Sequence, residues 1–170
     1  AMFAEKHFAG AVQAHLERYL SAHDPANAVN GGRHPLPKRE LFAQTLQALG
    51  FDNDMQAVVY DRNGANYCGR LWWMLKWAGH EAVAVLDGGL QAWEAAGGAM
   101  QTAVPEAPAV GHFALQPEKA VLATTASVAA GLGRPTQTVL DARATPRFRG
   151  EVEPLDPVAG HIPGALNRPF

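Results

Sequence analysis

A few side chains in this 170-residue chain have the type and spacing to take part in chemistry. Cys68 is the only thiol, and so the only soft nucleophile present. Arg143, Arg147 and Arg149 crowd one loop, Asp141–Gly150. Such a cluster can hold an anion by charge-assisted hydrogen bonds or pair with the nearby Glu151 and Glu153. His7 and His161 each open the pattern His-x-x-Gly-Ala, where a histidine can relay a proton or bond backbone beside the turn. Asp61 ends the apolar run Ala57–Tyr60 and can cap the loop or the helix behind it. No metal constellation is visible: the seven histidines are scattered, without thiol or carboxylate neighbours at ligand spacing.

The elements that must position these groups alternate. Pro37 is expected to open a helix at its first turn, where a missing N–H costs nothing. Leu41, Phe42, Thr45, Leu46 and Leu49 form its apolar face, and Gly50 ends it. Ala57–Tyr60 reads as a buried parallel strand. A helix follows with Leu71, Met74, Leu75 and Ala78 on its inner face, and Cys68 is expected about one turn inside it. Ala82–Leu86 is the next strand, and Asp87-Gly88-Gly89 turns into a helix around Trp93. Gly88 and Gly89 are turn formers, since no Lys-Ser/Thr follows them as in a phosphate loop. The four tryptophans read as packing residues. Strand–helix alternation of this kind predicts an α/β fold, a parallel sheet flanked by helices. Beyond the Gly- and Pro-containing stretch Gly97–Gly111, a helix is expected near Thr125–Ala130 and a strand at Thr138–Leu140.

Composition narrows the possibilities. Apolar content is 48% and charged content 18%, which suits a globular fold with a core. A net charge of −2 gives no broad electrostatic pull toward nucleic acid or an anionic membrane, and no apolar run approaches the roughly 20 residues of a membrane helix. One cysteine permits no internal disulfide, so a reducing, cytoplasmic setting is expected.

The His-x-x-Gly-Ala pattern recurs 154 residues after its first copy, a plausible tandem-domain period. With Gly32-Arg-His-Pro-Leu-Pro37, Val58-Val-Tyr-Asp61, Arg70-Leu-Trp-Trp73, Leu86-Asp-Gly-Gly89 with Trp93, Val139-Leu-Asp-Ala-Arg143, Arg147-Phe-Arg-Gly150 and Gly160-His-Ile-Pro-Gly-Ala165, the chain resembles the two-domain rhodanese-type sulfurtransferases of the thiosulfate and 3-mercaptopyruvate class. The resemblance implies a rhodanese-like fold in tandem, with the second domain truncated. Residues 1–98 would be the N-terminal, non-catalytic domain without its first strand. Residues 99–112 would be the linker, and residues 113–170 the start of the catalytic domain.

Sulfur transfer needs a thiolate that attacks a sulfane sulfur and carries it as a persulfide. The resemblance puts Asp61 at the nucleophile position of the first domain, and a carboxylate forms no persulfide. It implies a catalytic cysteine beyond Phe170, Arg147 as a contact to the substrate anion, and His7 as a proton relay near the cleft. Arg143 is expected in a structural pair. Where many 3-mercaptopyruvate enzymes carry a second arginine after a Glu-Pro step, Leu155 follows Glu153-Pro154. The implied partners are a small anionic sulfur donor and a thiol or cyanide acceptor, with no cofactor. A non-catalytic rhodanese-like binding or regulatory module is the alternative, supported in the first domain by Asp61. The resemblance also suggests that Thr138–Arg143 with His161–Ala165 could fill the first domain's opening-strand slot, in cis or between chains.

Overall fold

A computed structural model describes residues 2–169 apart from Val104 and Ala107, and the chain divides into two units, Ala1–Val121 and Leu122–Phe170. The first unit runs α1 (Met2–Glu5), β1 (His7–Phe8), α2 (Leu16–Tyr19), a 3-10 turn (Pro25–Asn27), α3 (Arg39–Ala48), β2 (Ala57–Val59), α4 (Gly69–Trp77), β3 (Val83–Val85), α5 (Gly89–Ala95) and β4 (Met100–Gln101). Strands β2 and β3 pair in parallel, with Ala57 opposite Val83 and Val59 opposite Val85. Helix α4 makes the crossover. Strands β1 and β4 pair antiparallel, His7 opposite Gln101.

Helices α3 and α4 end where the sequence supplies a left-handed glycine. Gly50 (φ 75°) follows α3, with Gly50 N–H donating to Gln47 O at 2.9 Å and Phe51 N–H to Leu46 O at 2.9 Å. Gly79 (φ 91°) closes α4 with the same pair of bonds, to Lys76 O at 3.0 Å and from His80 to Leu75 O at 2.9 Å. A side chain at Gly79 would also collide with Gln116, whose carbonyl oxygen lies 2.5 Å from where the Cβ would stand. The start of α3 differs from expectation. Pro37 instead forms an antiparallel bridge with Ala28, and Lys38 N–H donates to Asn27 O at 2.9 Å. The helix therefore begins two residues later, at Arg39.

The core of this unit joins Phe42 and Leu46 of α3 to Met74, Leu75 and Trp77 of α4, with Val59, Leu90 and Phe113. Phe113 is 1% exposed and packs near Phe51 and His80, at centroid distances of 5.8 and 6.2 Å. Its segment is pinned along its length. Gly111 N–H donates to Gln47 O (2.8 Å), Gln47 Nε2 to Phe113 O (2.8 Å), Arg39 Nη2 to Gln116 O (2.7 Å) and Gln116 N–H to Ala78 O (3.1 Å). Residues 113–121 thus pack within the first unit. The reason is one large aromatic and a set of backbone bonds inside a bland Ala/Val/Pro background.

The second unit holds α6 (Thr125–Gly131), β5 (Leu140–Asp141), α7 (Thr145–Phe148) and β6 (Leu166–Asn167). Strands β5 and β6 pair in parallel, Leu140 opposite Leu166 and Asp141 opposite Asn167. Asn167 Nδ2 locks this pair by donating to Asp141 O (3.0 Å) and Arg143 O (2.9 Å). The expectation that residues 138–143 fill the first domain's opening slot within the same chain is overturned, because among the described residues β5 pairs with β6 and with no strand of residues 57–86.

Replacing Phe113 by Ala should lower unfolding free energy by about 3–5 kcal/mol, the usual cost of emptying a buried Phe site. Urea denaturation followed by tryptophan fluorescence measures it. A loss below about 1 kcal/mol would detach the 113–121 segment from the core.

Candidate functional site

The loop between β2 and α4 is built around one carboxylate. Asp61 Oδ1 accepts from the backbone N–H of Asn63 (2.8 Å) and Ala65 (2.9 Å), and Oδ2 accepts from Tyr67 and from Cys68 (3.0 Å). Asp61 also binds through its backbone, where its carbonyl accepts from Leu90 N–H at 3.0 Å and so fixes the start of α5. Gly89 is required at this approach, since a Cβ there would lie 2.6 Å from Asp61 O. Converging amides of this kind form a nest for an anion, and here the loop's own side chain supplies it. Burial pushes the Asp61 carboxyl up, but the four amide donors outweigh burial and hold it below the usual carboxylate range.

Cys68 stands at the N-cap of α4, not a turn inside the helix, because the Asp61-bound loop extends to it. It is 7% exposed, and its Sγ donates to Ala65 O at 3.6 Å. Burial first, then the Asp61 charge, push the thiol up. A buried thiol held protonated beside a carboxylate is a poor nucleophile.

The sequence repeat is also a geometric repeat. His7 Nδ1 lies 2.8 Å from Phe3 O and the ring stacks on Phe3 (4.0 Å, 15°); His161 Nδ1 lies 2.7 Å from Phe148 O and stacks on Phe148 (3.8 Å, 16°). Gly10 (φ 78°) and Gly164 (φ 79°) then turn the chain so that Ala11 N–H reaches Phe8 O, and Ala165 N–H reaches Ile162 O, both at 3.0 Å. Because a carbonyl only accepts, each Nδ1 carries the proton. The copies differ in burial: His7 is 1% exposed and its Nε2 is buried without a hydrogen-bond partner, whereas His161 is exposed.

In the second unit the arginine loop is an ion-pair network. Arg143 grips Asp141 through Nε and Nη2 (3.1 and 2.7 Å to Oδ2) and reaches Glu153 through Nη1 (3.3 Å). This is the structural pair expected of Arg143. Arg147 donates from Nε to Glu153 Oε2 (3.2 Å), and from Nη2 to Glu153 Oε1 and Asp156 Oδ2, both at 2.7 Å. The Glu153 side chain is 5% exposed, and its Oε1 accepts from the N–H of Leu155 and Asp156 at 3.0 Å each. The Arg147 bond, followed by those two amides, holds the Glu153 carboxyl down to about 2. Glu153, in turn, raises Arg147 above its ordinary value. Arg149 points to Glu151 at 3.8 Å on the surface. Asp141 and Asp156 escaped the reading of the sequence. The short Asp-Ala-Arg and Glu-Pro-Leu-Asp spacings were the available signals. His7 and Arg147 lie in different units.

Among the described residues no group of three or more His, Cys, Asp or Glu could hold a metal ion, and no helix is long and apolar enough to cross a membrane.

A parallel βαβ unit, an amide-lined loop after its first strand and a Gly-Gly turn after its second define an α/β domain with an anion-type loop. A model of the rhodanese-like domain matches residues 2–96, and the chain belongs to that family. It is 49% identical over 165 residues to a Pseudomonas aeruginosa protein named "Probable 3-mercaptopyruvate sulfurtransferase", covering 96% of this chain and 57% of that protein. It is 35% identical over 170 residues to the "Thiosulfate sulfurtransferase" of Gallus gallus, covering 99% of this chain and 56% of that protein. Among solved structures it is similar to SseA from Escherichia coli, described as having the "Rhodanese" fold of 3-mercaptopyruvate sulfotransferases. The TM-score is 0.80 at 35% identity, over 99% of this chain and 61% of that one. The chain thus spans a little over half the length of the curated relatives named here.

Asp61 and Glu153, two of the depressed carboxyls, contribute to a pH dependence. A group whose folded pKa is lowered contributes stability above its unfolded value and loses it as pH falls through the folded value. For Glu153 that window runs from about 4.5 down to about 2; for Asp61 it opens below 3.8. Asp61→Asn should cost about 1–2 kcal/mol at neutral pH, as lost caps do. Both Asp61→Asn and Glu153→Gln should flatten the acid limb of the urea-midpoint profile, and an unchanged limb in either would remove that residue from the acid response.

Proposed function

We propose that the protein containing this chain is a sulfurtransferase. It takes sulfur from thiosulfate or 3-mercaptopyruvate as the outer, sulfane sulfur of a cysteine persulfide and passes it to a thiophilic acceptor, cyanide or a thiol. With thiosulfate, a thiolate attacks the outer sulfur, the S–S bond breaks and sulfite leaves with the bonding pair. Cyanide then takes the sulfur as thiocyanate and regenerates the thiolate. The observation that carries this reading is the 49% identity to the Pseudomonas aeruginosa protein along 96% of this chain. Within residues 1–170 the thiolate has no candidate. Asp61 occupies the loop after the first strand, and Cys68 is buried and protonated. The nucleophile therefore belongs outside these residues. Residues 1–98 are read as the non-catalytic domain, 99–112 as the connection and 113–170 as the start of the catalytic domain, with 113–121 packed against the first.

Arg147 is the proposed contact to the donor's anionic group, since its guanidinium is already ionised and oriented by Glu153. His7 is the proposed proton relay, supported by its buried, unpartnered Nε2. A structural role for His7 is the second reading, favoured by the matching geometry at His161. A cytoplasmic setting is proposed from the single, protonated thiol. The alternative, a non-catalytic binding module, is favoured by Asp61 filling its own nest.

Full-length protein should form thiocyanate from cyanide with thiosulfate or 3-mercaptopyruvate, and Arg147→Gln should lower kcat/KM by roughly 10–100-fold, the loss of charged hydrogen bonds to the donor. Folded full-length protein without turnover on either donor would favour the binding module.

A further inference from the structure

Arg147 carries two carboxylates of different character. Glu153 takes the Nε–Nη2 edge of the guanidinium through both its oxygens, at 3.2 and 2.7 Å, and is itself fixed by two backbone amides. It is a permanent counter-ion. Asp156 engages the remaining Nη2 donor with a single oxygen, at 2.7 Å, and its side chain is 45% exposed against 5% for Glu153. The Asp156 backbone N–H is held by Glu153, so its side chain can swing away by rotation alone while the turn stays in place.

We propose that Asp156 is a built-in competitor for Arg147, a displaceable carboxylate occupying the place that a small oxyanion takes when it binds. The inference rests on Arg147 being the donor contact. A guanidinium has five N–H donors, and the Nη1–Nη2 edge is a fork suited to two oxygens of one anion. Asp156 uses that edge through one oxygen only. A sulfonate-like or carboxylate group that spans it gains a second bond, and the carboxylate it replaces is exposed enough to return to water at little cost. With Glu153 fixed behind it, Arg147 never faces the solvent as a bare cation. The selectivity consequence is that weakly held monodentate anions compete poorly, whereas a bidentate oxyanion displaces Asp156. Asp156 is a positioning residue in this scheme and does not touch the sulfur.

The test is thiosulfate binding to full-length protein carrying 15N-arginine, read at the Arg147 Nε–H resonance, which Arg147→Lys assigns by its disappearance. Asp156→Asn keeps the shape and removes the charge. It should tighten thiosulfate binding at Arg147 by roughly 3- to 10-fold and lower KM with little change in kcat. Read as KM, the gain should vanish when Asp156→Asn is added to Arg147→Lys, compared with Arg147→Lys alone. Equal binding by wild type and Asp156→Asn at Arg147 would overturn the competitor and leave the Arg147 contact standing. A gain that persists without Arg147 would also overturn it, reducing Asp156 to general repulsion. Absence of any thiosulfate response at Arg147 in either protein would overturn both the competitor and the donor contact.

Discussion

The first unit depends on four backbone amides converging on the Asp61 carboxylate. Strand β2 delivers Asp61, the loop wraps its oxygens, and the last donor, Cys68, is the N-cap of α4. The Asp61 carbonyl binds Leu90 at the start of α5, where only glycine fits at position 89. One residue thereby ties together the strand, the crossover helix and the following helix. Its negative charge lies where such a loop would otherwise stabilise an outside anion or a thiolate; burial first, and then that charge, push the neighbouring thiol up.

The second unit solves a related problem with opposite charges. Two arginines and three carboxylates share one loop, and the buried member, Glu153, is satisfied by both arginines and two amides. Burying a carboxylate without such partners would be costly. The result is an arginine whose orientation is set before any ligand arrives, which is what recognition of a small anion needs. The duplicated His–Phe stack adds a further common device. In both units the ring lies flat on a phenylalanine and donates to its carbonyl just ahead of a left-handed glycine.

Much of this was readable from residue types. The α/β alternation, the glycine stops at Gly50 and Gly79, the family and the structural pairing of Arg143 all follow from period, punctuation and motif. What escaped has physical causes. Pro37 has the chemistry of a helix opener, but its neighbour Lys38 is bonded to Asn27, a contact local periodicity does not encode. Phe113 directly follows the expected linker, and nothing in its neighbours' composition encodes its burial beside Phe51 and His80. The opening-slot pairing within one chain failed because β5 pairs with β6, whose Leu166 stands opposite Leu140 and 26 residues on. Asp156 was invisible because its role comes from a turn set by the side chain of Glu153.

The most direct measurement is the site of sulfur on the full-length protein after incubation with thiosulfate in the absence of acceptor, located by mass spectrometry of its peptides. The proposed division of labour predicts one added sulfur on a cysteine outside residues 1–170, with Cys68 unmodified. Sulfur found on Cys68 would contradict it and return the chemistry to the first unit.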